Sequence, residues 1–373
     1  MKITIDRAAL LKPLAHVQSV VERRNTIPIL ANVLLRAADG RLGLNATDMD
    51  MDVVESVGCS VSEPGAVTVP AHTLYEIIRK LQDGSEIELA MVPDSGRMTI
   101  RAARSNFSLP TLAVEDFPSL TGDELPTNFV LSAADAKTLI DRTRFAISTE
   151  ETRYYLNGIY LHETTENDMP VLRAVATDGH RLARVQMPLP DGAAGMPSVI
   201  VPRKAVNEIR KLIDETDGDV HIGLSENKLR FSFENTVLTT KLIDGTFPDY
   251  ERVIPQSNDK KLLVTCREFK QAVDRVATIS TEKSRSVKMS MVDGTLTLSA
   301  NSPDSGQATE ELDVEYGAGP IEIGFNSRYL IDIADQIDDG NKAVFTMADA
   351  ASPTIVTDEG DESALYVLMP MRV

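Results

Sequence analysis

The chain is 373 residues long and carries 38 Lys and Arg against 56 Asp and Glu, which gives a formal net charge of −18. This length predicts two or three domains, and a hydrophobic content of 42% can fill several cores. The composition therefore excludes a disordered acidic tail protein and a single small module. The net negative charge also argues against nucleic-acid binding by bulk electrostatic attraction.

The cysteine content bounds the kinds of site that the chain can build. Cys59 and Cys266 are far apart and have no partners at metal-ligand spacing. We expect neither a disulfide framework nor a cysteine-based zinc site, and we interpret both thiols as small buried side chains. There is no apolar run of 18 residues, so no membrane span is predicted. The first residues lack the features of a signal peptide, which predicts a cytoplasmic protein.

The predicted elements repeat along the chain. Three kinds of segment recur in the same order at intervals of about one third of the length. The first kind is a strand that runs into an amphipathic helix, the second is another strand followed by a helix, and the third closes each unit. Segments of the first kind begin at Ile3, Phe129 and Leu262, and those of the second kind begin at Val67, Val199 and Ile321. Segments of the third kind begin at Phe107, Leu238 and Ala364. We predict three similar domains, at residues 1–125, 126–256 and 257–373.

Each repeat contains two predicted helices and several strands. Leu10, Leu14 and Val17 have the spacing of one helix face, and the stretches between the helices alternate polar and apolar residues as antiparallel strands do. Each unit is therefore an α+β fold with two helices on one face of a sheet. The predicted helical windows are 7–16, 72–81, 135–144, 203–211, 266–275 and 328–338.

Charge is distributed unevenly among these windows. Together they are net positive, and window 203–211 carries four cations against one anion, although window 328–338 is net negative. One interpretation is that the helices share a surface that faces a polyanion. The alternative is that helices favour Lys and Arg by propensity and that the charges only solvate a face.

Several segments, together with the threefold repeat, resemble one protein family. They are TDGHRLA at 177–183, FPDYERVIP at 247–255, YVLMPMRV at 366–373, MKITIDRAALLKPL at 1–14, TIPILANVLL at 26–35 and RYYLNGIYL at 153–161. The whole chain is similar to the bacterial DNA polymerase III β subunit, the sliding clamp family. The resemblance implies three clamp domains per protomer and a head-to-tail homodimer that closes into a ring. The helices would line the inside of the ring and the sheets its outside.

The resemblance implies a non-catalytic accessory subunit of the polymerase III holoenzyme, with no cofactor and no metal ion. Double-stranded DNA would pass through the ring, and retention would be topological and independent of sequence, so an acidic chain need not bind phosphates tightly. Each implied DNA-facing residue could instead be a solvated surface group. Glu150 stands where we expect a neutral polar residue, which weakens the assignment of its loop to DNA contact. The implied DNA-facing residues are Arg24, Arg79, Lys80, Tyr154, Arg203, Lys204 and Arg210.

The resemblance also implies a groove between the second and third domains. It would bind short peptides of the DNA polymerase III α subunit, of the clamp loader, and of other polymerases and repair proteins. Apolar side chains suit an adaptable groove, and cations could orient peptide carbonyl groups; the alternative is core packing beside a surface turn. Leu368 and Val373 stand where Val and Leu are expected, and could change ligand preference. The implied residues are Leu156, Thr177, Gly179, His180, Arg181, Leu182, Pro248, Arg252, Val253, Val367, Leu368, Met369, Pro370, Met371 and Arg372.

The dimer contact would join the first domain of one copy to the third domain of the other. Phe107 and Ile279 are the candidates for its apolar centre, and the alternative for Phe107 is an aromatic side chain in the core.

Two other classes of function compete with the clamp. Asp178 and His180 could form an acid–base pair of an enzyme, but the sequence has no nucleophile elbow, no phosphate loop and no histidine spacing for a metal. A non-replicative peptide-binding scaffold is the second competitor. It predicts a monomer that is not retained on circular DNA.

Overall fold

The computed structural model describes residues 1–93, 95–118, 120, 124–216, 218–280 and 285–372. The helices are α1 Arg7–Val20, α2 Ala71–Lys80, α3 Ala133–Arg144, α4 Arg203–Ile213, α5 Cys266–Ala277 and α6 Ser327–Ala334. All six predicted helices are confirmed. In the described part of the chain, no helix combines the length and apolar character that crossing a membrane requires.

The strands of the first half of the chain are short and mostly consecutive. They are β1 Lys2–Asp6, β2 Asn32–Ala38, β3 Arg41–Thr47, β4 Met51–Gly58, β5 Ser60–Glu63, β6 Gly65–Pro70, β7 Glu86–Val92, β8 Arg97–Ala102, β9 Ser105–Pro110, β10 Thr127–Ser132, β11 Gly158–Glu166, β12 Met169–Thr177 and β13 Arg181–Pro188.

The second half of the chain continues the same pattern. Its strands are β14 Val199–Pro202, β15 Asp219–Leu224, β16 Lys228–Phe233, β17 Thr236–Lys241, β18 Lys260–Thr265, β19 Ser286–Val292, β20 Thr295–Ser302, β21 Gly306–Asp313, β22 Glu315–Tyr316, β23 Ile321–Asn326, β24 Lys342–Met347, β25 Thr354–Asp358 and β26 Asp361–Leu368.

Local sequence explains where the helices begin and end. The Asp6 carboxylate caps α1 by accepting hydrogen bonds from the backbone N–H groups of Ala8 and Ala9, at 2.8 and 3.3 Å. The Asn326 side chain caps α6 in the same way. Helix α6 ends at Ala334, earlier than predicted, because the following residues continue in tighter turns rather than in α-helical hydrogen bonding.

The chain forms two compact units. The first consists of Met1–Lys137, Pro190–Pro197 and Lys204–Leu242. It contains an eight-stranded sheet in the order β10-β15-β16-β17-β4-β3-β2-β6 and a five-stranded sheet in the order β5-β1-β7-β8-β9. Strand β17 pairs antiparallel with β4, so strands of the first and second predicted repeats share one sheet.

The second unit consists of Thr138–Leu189, Ser198–Arg203 and Ile243–Val373. It has a nine-stranded sheet in the order β14-β11-β12-β13-β26-β25-β24-β18-β22 and a four-stranded sheet in the order β21-β20-β19-β23. The antiparallel pairing of β13 with β26 joins the second repeat to the third. The predicted domain bounds thus differ from these units, because each long sheet runs across a repeat boundary.

The two cysteines differ in environment. Cys266 is buried, as predicted, and burial raises the pKa of its thiol to about 11. Cys59 is only partly buried, so the prediction of a buried thiol was wrong for this residue. It is the single residue between β4 and β5, outside both strands, whereas Cys266 is the first residue of α5.

Candidate peptide groove and DNA-facing residues

The floor of the candidate groove is an apolar cluster in the second unit. Leu182 in β13 pairs with Val367 in β26, which places both side chains on the same sheet face. Leu156 is buried in the same cluster. The other buried members are Val175, Ile200, Phe247, Tyr250 and Ile254. The structure thus brings three predicted groove residues together, although they come from distant parts of the sequence.

The loop after β12 has a fixed backbone. The Thr177 hydroxyl donates to the Arg181 carbonyl at 2.7 Å, and Asp178 Oδ1 accepts the backbone N–H groups of His180 and Arg181 at 2.9 and 3.0 Å. Gly179 has φ +88°, and a Cβ there would lie 2.5 Å from Nη1 of Arg153. Glycine meets both requirements, because it has no Cβ and adopts positive φ freely. Asp178 therefore acts as a turn residue.

Arg181 holds this loop to the rest of the unit. Its guanidinium donates to Asp332 at 2.5 Å, to Asp178 at 3.1 Å and to the Phe145 carbonyl at 2.5 Å. It also stacks 4.3 Å from the centroid of the Tyr329 ring. With only 10% of its side chain exposed, Arg181 is placed to stabilise the loop rather than to reach a ligand.

Other predicted groove residues are exposed next to this floor. Val253 lies one residue before Ile254 and is 49% exposed, and Met369 lies two residues after Val367 and is 41% exposed. The Met369 N–H donates to the His180 carbonyl at 2.9 Å, which ties the C-terminal segment to the Gly179 loop. Thr177, Pro370 and Met371 are half-buried, and Gly179, His180, Pro248, Arg252 and Arg372 are exposed.

Leu368 lies away from the groove. It is fully buried, and neighbouring residues of a strand point to opposite faces, so its side chain faces away from that of Val367. Its difference from the expected Val therefore alters core packing rather than ligand contact. Val373, the other departure, lies outside the described residues.

The predicted DNA-facing residues fall into two groups. Arg24, Arg79, Lys80 and Arg203 are exposed, and the Tyr154 side chain is 53% exposed. Within α2, both cations contact Glu76, at 2.8 and 3.4 Å. Exposed pairs of this kind contribute little stability.

Lys204 and Arg210 form the second group, because the side chains of both form ion pairs within the protein. The Lys204 ammonium pairs with Asp48 and, at 3.2 Å, with Glu22. Arg210 is 8% exposed and pairs with Asp214 at 2.5 Å. It lies on the buried face of α4, so its guanidinium is not presented at the surface.

The residue that departs from the expected pattern in the 150–154 loop has a clear partner. Glu150 accepts two hydrogen bonds from the Arg153 guanidinium, at 2.8 and 2.5 Å. These bonds hold the pKa of Glu150 below its usual range. The pair cancels the charge of Arg153 next to the exposed Tyr154.

The two dimer candidates are accessible to different degrees. Phe107 is 37% exposed and lies on β9, the edge strand of the five-stranded sheet. This placement differs from a core aromatic. Ile279 is half-buried just after α5, and the segment 281–284 that follows is outside the described residues.

Sequence reasoning missed a buried polar cluster centred on Arg173. This arginine of β12 is 1% exposed and contacts Glu166, Gln186, Tyr250 and Glu251. The available signal was a charged residue in the buried run VLRAVA. Among the described residues, no group of three or more His, Cys, Asp or Glu side chains could hold a metal ion.

Comparison with known proteins identifies the family. Models of the DNA polymerase III beta subunit match residues 1–121 as its N-terminal domain, 130–249 as its central domain and 251–372 as its C-terminal domain. The beta sliding clamp of Caulobacter vibrioides is 54% identical over 373 residues, and that of Escherichia coli K12 is 41% identical over 374 residues. Both alignments cover 100% of each chain.

Solved structures give the same result. A Bartonella birtlesii sliding clamp bound to griselimycin has a TM-score of 0.97 at 52% identity and covers 100% of both chains. A Caulobacter crescentus beta sliding clamp with bound PEG has a TM-score of 0.98 at 53% identity, covering 100% of this chain and 99% of that one. The chain therefore belongs to the DNA polymerase III beta subunit family, as a non-catalytic sliding clamp with three tandem α+β domains.

Proposed function

We propose that this chain acts in the cytoplasm as a processivity factor, a closed head-to-tail homodimer that encircles duplex DNA. The ring tethers the DNA polymerase III α subunit, and its groove also receives the clamp loader, other polymerases and repair proteins through short peptides. The observation that carries the proposal is the similarity to sliding clamps over all 373 residues, at 54% identity and with three clamp domain models matched.

Topological retention reconciles this function with a net charge of −18. Affinity that depends on phosphate neutralisation falls steeply with salt, whereas a closed ring releases DNA only when it opens. A few exposed cations suffice to centre the duplex, and Arg24, Arg79, Lys80 and Arg203 are available for it. The Glu76 pairs of α2 are weak enough to exchange for phosphate contacts. Lys204 and Arg210 contribute by stabilising the fold around α4.

The groove proposal rests on a buried apolar floor beside exposed apolar side chains. Leu156, Leu182 and Val367 form the floor, and Val253 and Met369 offer accessible apolar surface. A peptide with one or two large apolar side chains would bury this surface, and a small number of such anchors normally provides most of the affinity. One relative has been solved with bound griselimycin and another with bound PEG, which supports ligand binding by members of this family.

The dimer proposal rests on sheet edges. Strand β9 ends the five-stranded sheet and β21 ends the four-stranded sheet. Edge strands carry unpaired backbone groups that favour pairing with another chain. Pairing of β9 from one protomer with β21 of the other would satisfy them, with Phe107 and Ile279 near the contact. In the predicted domains 1–125, 126–256 and 257–373, β9 belongs to the first domain and β21 to the third.

Loading on circular DNA tests the whole proposal. The protein is loaded on a nicked plasmid by its clamp loader and ATP, isolated by gel filtration at moderate ionic strength, and the plasmid is then linearised. We expect the protein to leave the DNA after the cut and to remain on the uncut control. Retention on linear DNA would refute topological binding, and failure to load would favour the scaffold.

A further inference from the structure

The guanidinium of Arg173 makes an extensive set of hydrogen bonds behind the proposed groove. Its Nη1 donates to the Tyr250 hydroxyl at 2.9 Å and to Glu251 Oε1 at 2.8 Å. Its Nη2 donates to Glu166 at 2.5 Å, and Nε and Nη2 donate to Gln186 at 3.0 and 2.8 Å. A planar fork of donors can satisfy these partners together, which a lysine ammonium cannot.

Two of these partners belong to the segment 247–254, which crosses the sheet face beside the groove floor. Its inward side chains are anchored in the apolar cluster, whereas its outward side chains include three proposed groove residues. The inward residues are Phe247, Tyr250 and Ile254, and the outward residues are Pro248, Arg252 and Val253. The orientation of this segment therefore determines how Val253 is presented to a ligand.

A chain of hydrogen bonds and stacked rings holds the inward side. Burial lowers the pKa of His162, so its ring is neutral at pH 7. Because its Nδ1 lies 3.1 Å from the carbonyl of Glu163 and must donate to it, its Nε2 accepts the Tyr250 hydroxyl proton at 3.1 Å. The Tyr160 ring stacks on His162 and on Phe247, with centroids 4.6 and 4.8 Å apart.

Arg173 is the charged end of this arrangement. The stacked rings fix the depth of the segment, but stacking is less directional than hydrogen bonding and constrains lateral position less. The two bonds from Nη1 fix Tyr250 and Glu251 at defined positions, one in the core and one at the surface. Strand β12 also continues from Arg173 through Val175 of the floor to Thr177 of the groove.

We propose that Arg173 is a positioning residue for the peptide groove, which fixes the turn at 250–253 and so presents Val253 to the ligand. This inference rests on the proposed function of the groove. Arg173 itself is buried and touches no ligand. Its replacement should therefore reduce peptide affinity through Val253, so that the effects of the two positions are coupled.

A double-mutant cycle tests this coupling. Isothermal titration calorimetry of the full-length protein uses a synthetic peptide of about ten residues from the C-terminus of the α subunit of the same organism. We expect Arg173→Met and Val253→Ala each to weaken binding about tenfold. The double variant should bind within about twofold of the weaker single variant, because residues that act through one another are not additive.

Arg184→Met is the matched control. Arg184 lies on the neighbouring strand opposite Val175, with its Nε buried. It interacts with Tyr250 and Glu251 electrostatically, but among the described residues it makes no hydrogen bond to the segment 247–254. Its replacement should change affinity less than about twofold. A tenfold loss in this control would show that any change in the cluster suffices, and would overturn the specific role of Arg173.

Further outcomes separate positioning from a general structural role. Unchanged affinity in Arg173→Met, or additive effects in the cycle, would overturn the inference while leaving the groove intact. Absence of peptide binding by the unmodified protein would refute the groove and with it the inference. If the Arg173→Met variant does not fold, Tyr250→Phe takes its place in the cycle. This substitution removes only the hydroxyl that accepts from Arg173, so it should weaken binding about threefold. Its effect should be coupled to that of Val253→Ala in the same way.

Discussion

Asp52 is a buried carboxylic acid whose replacement should change the pH dependence of stability. It lies in β4, is 1% exposed, and has no well-formed hydrogen bond to either carboxylate oxygen among the described residues. Burial raises the pKa of Asp52 from 3.8 to about 7; the Asn45 side chain acts against this rise and the Asp48 carboxylate adds to it. In the fold, Asp52 is therefore protonated through much of the acidic range.

The sign and size of the effect follow from proton linkage. Because the folded pKa lies above the unfolded pKa, stability is greatest below about pH 4 and is lost as pH rises through about 7. A shift of about three units corresponds to a total loss of about 4 kcal/mol. The amide side chain introduced by Asp52→Asn would be neutral at every pH and would avoid this loss. The stability advantage of Asp52→Asn should therefore increase by about 2 kcal/mol between pH 5.5 and pH 8.5.

Urea-induced unfolding, followed by circular dichroism at both pH values, measures this increase. Asp50→Asn is the matched control, because Asp50 is two residues away, is 80% exposed and pairs with Lys241 only at the surface. The control should show no change with pH beyond about 0.5 kcal/mol. An advantage of Asp52→Asn that stayed constant or fell between pH 5.5 and pH 8.5 would show that the fold does not raise the pKa of Asp52, and would refute the reasoning.

Three further predictions concern the groove and the dimer. Gly179→Ala should cost about 1–2 kcal/mol of unfolding free energy, measured by urea titration, because φ is +88° and the new Cβ displaces Arg153; an unchanged free energy would contradict this. Met369→Ala should weaken the polymerase peptide about tenfold in calorimetry without changing the dimer, and unchanged affinity would refute its role as an anchor. Phe107→Ala with Ile279→Ala should increase the monomer fraction in analytical ultracentrifugation, and a fully dimeric double variant would exclude this contact.

The sequence predicted local structure well because helix periodicity is a local property. Buried side chains of α1, such as Leu10, Leu14 and Val17, lie where the spacing placed them. The pairing of β17 with β4 was not predictable in this way. It joins strands more than 180 residues apart, and an alternating pattern specifies which face is buried but not which strand is the neighbour.

The proposed groove residues came from the family resemblance, and the structure shows where each described one lies and what it contacts. Leu368 and Arg181 were assigned with their neighbours, but strand alternation turns Leu368 into the core and three acceptors hold Arg181. One acceptor is Asp332, 151 residues away. Burial and ion pairing of this kind depend on tertiary contacts, so residue type alone could not distinguish a ligand-contacting residue from one in a structural ion pair.

The distinction between residues that could contact a ligand and residues held in structural ion pairs fits what a sliding clamp requires. A tether must keep a defined ligand surface while the protein moves along DNA, so the proposed groove would benefit from rigid support by a buried group such as Arg173. Movement along DNA requires the opposite, since strong phosphate contacts would create barriers at every step. The ion pairs of Lys204 with Asp48 and of Arg210 with Asp214 use two cations within the protein. The proposed DNA-facing residues therefore offer less positive charge to phosphates than their number suggests. Under that condition the proposed ring would retain the duplex by enclosure rather than by affinity.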